Sequence, residues 1–405
     1  MSEERQESPA ATPADLRPLR IGMVIDAWDD ANNGAVVSTR RFTEILRARG
    51  HTVEILATGK PVPGKTVLPS WVIPTPGNIM EKMRLPFAKP VRGVVTDFVR
   101  RQDVVHNQFP FWLGMRTLKI ARAVGVPTVS TFHVQAEHLL HNVGIRSPLL
   151  VDWTYRFFLG TTYDRSDAVL CPSAFAEREL RRYGLKAPTE VISNGVPDDY
   201  RPLPREACER FPGKFAILSV GRLAKEKRHD LTIEAIRNSS HERDIQLVIL
   251  GDGPQKGHLE ELGRRLTHPP IFRWLKPHEL IRYYGGADLD IHAADVEVEC
   301  MSVLEAMACG LPCVIADSPL SATPQFAISP EFLFPAGDRE ALTAQIDRLI
   351  DDPEALAEAR VRYREAARRY RVEVSADRLV ALYRKVIAAA PRAPPSPPPS
   401  AASRP

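Results

Sequence analysis

The stretch ADVEVECMSVLEAMACGLP, residues 294–312, decides how the rest of the chain is read. It leads out of the apolar run Leu289–Ile291 into a short helical pattern that stops at Gly310, with Pro312 just beyond. Two carboxylates, Glu297 and Glu305, stand eight residues apart within it. An apolar strand giving way to a short helix is one step of a parallel α/β unit. Carboxylates at that step lie at the ligand-binding edge of an open sheet, where they can accept hydrogen bonds from a polyhydroxyl ligand.

The same alternation extends outward in both directions. Short apolar runs at 21–25, 53–57, 128–131 and 168–170, and then at 215–220, 246–250, 289–291 and 313–316, are separated by helical patterns. Strands alternating with helices imply parallel sheets covered on both faces, an α/β fold with two Rossmann-like domains. Between the two series, Asn194-Gly-Val-Pro-Asp-Asp-Tyr-Arg-Pro-Leu-Pro reads as turns and an interdomain connection. The boundary is therefore placed near residue 200, with domains at 19–199 and 200–370. Helical periodicity covers 339–350 and 353–389, with Asp352-Pro353 as a start signal, and the last helix, 371–390, is expected to pack back on the first domain. Residues 1–18 and the Pro/Ala-rich 391–405 are expected to be disordered tails.

At 405 residues the chain is too long for one ordinary core. A net charge of +4 is too mild to argue for nucleic acid. There is no apolar run near the roughly 20 residues of a membrane span, and the polar first 18 residues do not resemble a signal peptide. A cytoplasmic location follows. Cys171, Cys208, Cys300, Cys309 and Cys313 form no CxxC pair and read as small buried thiols, with no disulfide and no zinc. The segment 79–101, with Lys82, Arg84, Lys89 and Arg92 among apolar residues, has the make-up of a contact with an anionic membrane surface or of a solvated helix face.

Further candidate residues fall at strand ends. After the run 215–220, Gly221 frees the backbone, and Arg222 and Lys227 are two cations suited to a diphosphate and to negative charge developing on a departing nucleotide. Gly251-Asp-Gly-Pro is a tight turn whose Asp252 is expected to cap the following helix. In the first half, Gly34 precedes a helix whose opening amides would face an anion across the cleft. His133 follows the strand 128–131, where it could hydrogen-bond a sugar hydroxyl or move a proton near neutral pH, and His106 holds a similar position.

Taken in order, Asn33-Gly34, His133, Ser193-Asn-Gly-Val, Gly221-Arg-Leu with Lys227, Gly251-Asp-Gly-Pro, and Glu297 with Glu305 before Ala306-Met-Ala-Cys-Gly-Leu-Pro resemble the retaining glycosyltransferases of the GT-B fold, family 4, over residues 20–390. The resemblance implies two domains facing across a cleft and a nucleotide-sugar donor bound mainly by the second. It places Arg222 and Lys227 on the diphosphate, Glu297 on the transferred sugar and Glu305 on the ribose. Gly221, Gly251, Asp252, Ser302 and Val303 would complete the donor contacts, while Asn33, Gly34 and His133 close from the first domain. It further implies front-face displacement with retention, and neither a metal nor a cofactor.

Val298, Glu299 and Cys300 stand where the commonest family pattern has small residues and an aromatic. With Phe132-His-Val-Gln-Ala-Glu and Ser321-Ala-Thr-Pro-Gln-Phe-Ala, this variant is similar to the subgroup containing bacterial diacylglycerol glucosyltransferases. That subgroup implies UDP-glucose or a related donor and a lipid acceptor at the inner face of the plasma membrane. Transfer to a polysaccharide or small molecule, an epimerase or phosphorylase on the same scaffold, and a non-catalytic sugar-nucleotide module are the alternative readings.

Overall fold

The computed structural model describes residues 17–30, 33–71, 87–142 and 145–390. Lys82, Arg84, residues 1–16 of the expected N-terminal tail and the C-terminal tail 391–405 lie outside the described residues, while Arg17 pairs with Asp103 at 3.2 Å. Among those described, no helix is long and apolar enough to cross a membrane.

The first half contains β1 (Arg20–Val24), α1 (Gly34–Ala48), β2 (Thr52–Ala57), β3 (Lys65–Val67), β4 (Ser70–Trp71), β5 (Phe87–Ala88), α2 (Arg92–Arg100), β6 (Val104–Asn107), α3 (Trp112–Val124), β7 (Thr128–Thr131), α4 (Ala136–Asn142), α5 (Pro148–Thr161), β8 (Ala168–Cys171), α6 (Ala174–Arg182) and β9 (Thr189–Val191). Seven of these strands form a parallel sheet in the order β3-β2-β1-β6-β7-β8-β9, and β4 pairs with β5 antiparallel. From β1 the chain steps to β2 in one direction, and from β6 through β7 to β8 in the other. Right-handed crossovers therefore put α1 on one face of the sheet and α3 and α5 together on the other. The core agrees. Ile21, Met23, Val104 and Val129 pack with Phe42 and Leu46 of α1, while Val24 and Val105 pack with Phe98 of α2 and Leu113 of α3.

The second half contains β10 (Phe215–Val220), α7 (His229–Asn238), β11 (Ile245–Leu250), α8 (Lys256–Gly263), β12 (Ile271–Arg273), α9 (Pro277–Gly286), β13 (Leu289–His292), α10 (Met301–Ala308), β14 (Cys313–Asp317), β15 (Leu333–Pro335), α11 (Arg339–Asp351), α12 (Pro353–Ala367) and α13 (Val372–Ala389). Its parallel sheet runs β12-β11-β10-β13-β14-β15, so the fold is α/β of the two-sheet type expected. The order reverses at β10 and β13, and ligands of open α/β sheets bind outside the strand ends at such a switch point.

Within the helical periodicity of 353–389, the last helix is set off close to the expected residue 371. α12 ends at Ala367, Arg371 is extended, and α13 begins at Val372. No proline or glycine in 368–371 marks this break, because its cause is tertiary. The chain leaves the second domain here and pairs with Val196, whose N–H donates to Tyr370 O at 2.8 Å and whose carbonyl accepts from Val372 N–H at 3.0 Å. Gly195, at φ 75°, allows the approach, since a Cβ there would lie 2.6 Å from Val372 Cα. α13 then packs Leu379, Leu382, Tyr383 and Val386 into the α1 side of the first domain.

His106 belongs to this packing. Its Nδ1 meets the Tyr383 hydroxyl at 2.7 Å and its Nε2 the Thr131 hydroxyl at 2.6 Å, so it is a satisfied core histidine. Burial lowers its pKa to about 3. In the unfolded chain the same imidazole takes a proton near pH 6.5, so the stability held by the neutral form is lost as pH falls from 6.5 toward 3, at about 1.4 kcal/mol per pH unit. The thermal unfolding midpoint is expected to drop over pH 6.5 to 4, and His106→Gln to flatten that slope. An unchanged slope in this variant would remove His106 as its source.

Candidate active site

The site is assembled at the carboxyl ends of β10, β11 and β13. β10 delivers Gly221 and Arg222, and the turn after it delivers Lys227. Gly251, at the end of β11, abuts this turn so closely that a Cβ on it would lie 1.9 Å from Gly221 O, which explains a glycine there. Asp252 does not cap α8 as expected. Gly253-Pro254 delays the helix until Gln255 is its N-cap, without a side-chain cap bond, and the Asp252 carbonyl instead accepts Leu223 N–H at 3.0 Å.

Lys227 and Glu297, seventy residues apart, form a close and largely buried ion pair. His292, the last residue of β13, approaches the same carboxylate oxygen, its Nε2 3.4 Å from Glu297 Oε1. Burial alone would raise the Glu297 pKa, but the Lys227 ammonium, followed by His292, holds it down at about 2. Burial pulls Lys227 and His292 toward neutrality, and in each the partners prevail. Glu297 lifts Lys227 above the ordinary lysine value, and Cys300 with Glu297 lifts His292 to about 10. Glu297 is thus favoured in its ionised form by Lys227 and His292, which both approach its Oε1.

His292, Glu297 and Cys300 bring an imidazole, a carboxylate and a thiol within 4.8 Å of one another, a donor set that suits a transition metal in kind. Their arrangement argues otherwise. Cys300 Sγ lies 3.6 Å from Nδ1 while Glu297 faces Nε2, so the two would-be co-ligands address opposite nitrogens of one ring, and Lys227 already occupies the carboxylate.

α10 begins directly beyond Cys300. Its first intrahelical bond is Leu304 N–H to Cys300 O, so the N–H groups of Met301, Ser302 and Val303 precede the helical ladder and form a site for an anion. The Ser302 hydroxyl donates to Val220 O at 3.3 Å, which ties this helix start to β10. The Val303 side chain is wholly in the core, leaving only its amide to face a ligand. Arg222 is exposed, and its guanidinium has no ion-pair partner among the described residues.

Glu305 lies one turn further along and is turned away from Glu297. Its carboxylate is buried and pairs with Arg41 of α1 at 2.5 Å, with the Tyr284 hydroxyl at 3.5 Å. Arg41 also donates to Gly195 O and lies over the Tyr200 ring. The sequence reading missed Arg41, because one arginine in an amphipathic helix carries no local signal. His292 was legible in principle as a strand-end histidine five residues before Glu297.

From the first domain, Gly34 starts α1 beside α10, where a Cβ on it would meet Met301 Cε at 3.4 Å. The Asn33 side chain is occupied in capping α1, accepting Ala35 N–H at 3.0 Å. His133 Nε2 pairs with Gln108 Oε1 at 3.1 Å, and burial holds its pKa at about 3, so at neutral pH it is an uncharged hydrogen-bonding group rather than a titrating one. The segment Val298-Glu299-Cys300 is part of the seam between domains. Val298 O accepts from Ser173 at 2.7 Å, and Glu299, buried and raised to about 7, accepts Asn194 N–H at 2.8 Å. Close by, Gln135 donates to Leu320 O at 3.2 Å.

The model for glycosyl transferases group 1 matches residues 204–370, and that for glycosyltransferase family 4 matches residues 32–200. The chain belongs to the family 4 glycosyltransferases. This transferase is 26% identical over 322 residues to an alpha-monoglucosyldiacylglycerol synthase of Streptococcus pneumoniae, covering 74% of this chain and 72% of the relative. It is likewise 26% identical over 319 residues to a GDP-mannose-dependent alpha-mannosyltransferase of Corynebacterium glutamicum, with coverage of 74% and 72%. Among solved structures, sucrose-phosphate synthase from Thermosynechococcus elongatus superposes with a TM-score of 0.70 at 19% identity, covering 92% of this chain and all of that one. The transferase therefore has the GT-B fold, and the two sheets described above are its two domains.

Proposed function

We propose that this glycosyltransferase moves a hexosyl unit from a nucleotide diphosphate hexose such as UDP-glucose to the hydroxyl of a membrane lipid such as diacylglycerol, with retention at the anomeric carbon. The observation that carries the donor half is Glu297, held ionised by Lys227 and His292, beside the free guanidinium of Arg222 and the amide-rich start of α10. A diphosphate would lie against Arg222, Lys227 and the Met301–Val303 amides, which supply the positive charge that a metal would otherwise bring. Glu297 would accept hydrogen bonds from the sugar, and neutral His133 one more from across the cleft.

In the reaction the bond between C1 and the phosphate oxygen breaks as the acceptor oxygen bonds C1 on the same face. The acceptor's proton passes to the departing phosphate oxygen, leaving a glycoside and a nucleoside diphosphate. Glu305 would reach the ribose on giving up part of its pairing with Arg41. The lipid half rests on the likeness to the diacylglycerol-glucosylating relative and the variant residues Val298 to Cys300.

A donor-by-acceptor screen read by mass spectrometry tests this, with UDP- and GDP-hexoses set against diacylglycerol, lipid extracts and soluble sugars. A lipid α-glycoside whose yield is unaffected by EDTA is expected. Transfer only to soluble sugars would overturn the acceptor. Epimer formed without any acceptor, or sugar release that requires phosphate, would overturn the reaction.

A further inference from the structure

α5 is apolar on both sides. Val151, Tyr155, Phe158 and Leu159 are buried in the first domain, as an amphipathic helix requires. The opposite side should be polar, yet Leu149 is 83% exposed, Trp153 61% and Phe157 39%, with Leu150 beside them. Their spacing of four places Leu149, Trp153 and Phe157 in one stripe, and the Trp153 and Phe157 rings stack at 5.4 Å. An exposed, ordered aromatic stripe of this kind marks an interaction surface.

Its surroundings identify the partner. α3 and α5 are successive crossovers on one face of the sheet, so the layer that carries the stripe also carries Arg116, Lys119 and Arg122. These three are exposed at intervals of three residues on a helix without a single acidic residue, and they form no ion pair among the described residues. A second copy docked through this face about a twofold axis would set these like charges against one another. An anionic bilayer satisfies both features, since aromatic and leucine side chains enter the headgroup and acyl boundary while cations meet lipid phosphates.

We propose that this face of the first domain docks on an anionic membrane, with Leu149, Trp153 and Phe157 inserted and Arg116, Lys119 and Arg122 against the headgroups. α5 follows α4 in the crossover that leaves the carboxyl end of β7, so its Leu149 end lies on the same side of the sheet as the strand end that carries His133. Docking in this pose would deliver a lipid hydroxyl to the site without extracting the lipid far from the bilayer. It deepens the lipid-acceptor reading, but its test requires no turnover, so either can fail without the other.

The full chain is sedimented with phosphatidylcholine vesicles and with vesicles containing about 30% phosphatidylglycerol. Binding to the anionic vesicles, weakened by 0.5 M salt (about a 4 Å Debye length), is expected. Leu149→Ser/Trp153→Ser/Phe157→Ser should lower the partition coefficient at least roughly tenfold with an unchanged unfolding midpoint. Arg116→Gln/Lys119→Gln/Arg122→Gln should abolish the preference for anionic lipid. Leu149→Glu alone, at a position with almost no core contact, guards against a folding defect and should also reduce binding. Wild-type protein that ignores both vesicles, an apolar variant that pellets like wild type, or a dimer abolished by the apolar variant would each overturn the proposal.

Discussion

Glu297→Gln is expected to lower sugar transfer by about 10²- to 10³-fold, the loss that follows removal of one preorganised charge from a transition-state site. The change also leaves Lys227 and His292 facing a neutral amide in a site where all three groups are largely buried. Removing one member of a buried ion pair costs roughly 3–5 kcal/mol, because the other charge loses its compensation. A lower unfolding midpoint should therefore accompany the loss of activity. The two effects separate in Lys227→Met/Glu297→Gln, which removes the uncompensated ammonium. This variant should recover much of the stability and none of the transfer. Steady-state transfer rates beside thermal unfolding of the two single variants and the double one make the comparison. Turnover of Glu297→Gln within a few-fold of wild type would take this carboxylate out of the chemistry.

The second large effect is expected at Arg41, which lies far from Glu297 in the sequence and on the other domain. Arg41→Met strands the Glu305 carboxylate beneath Tyr284, and the same argument about a broken buried pair sets the cost at roughly 3–5 kcal/mol. The pair joins α1 to α10, so the loss should fall on the contact between domains. Glu305→Gln should be similarly costly, and Arg41→Met/Glu305→Gln should be less destabilised than the sum of the two single changes, as coupled partners are. Single effects that simply add would show that Arg41 and Glu305 do not act as a pair. If Glu305 also holds the ribose, Glu305→Gln should raise the donor KM more than Arg41→Met does.

The site was only partly legible before folding. Gly221, Gly251, Lys227, Glu297 and Ser302 stand at strand ends that local periodicity reveals, and parallel sheets bring strand ends to one edge. Asp252 was misread because a glycine-proline turn moved the helix start beyond its reach. Glu299 looked like a departure from a pattern and became a contact with Asn194, since a buried carboxylate needs a donor that only the other domain supplies.

The amino-acid sequence by itself determined the alternation of strands and helices, the two-domain α/β class, and which loops carry charge beside glycine. These are local properties, written in hydrophobic period and turn chemistry. Tertiary structure alone decided that the chain pairs with Val196 on its way from α12 to α13, that His133 is held neutral, and that Glu305 pairs with Arg41. It alone also decided that the outer side of α5 is left uncovered. Each of these depends on which distant group excludes water from a side chain, or fails to, and no spacing within one segment encodes that.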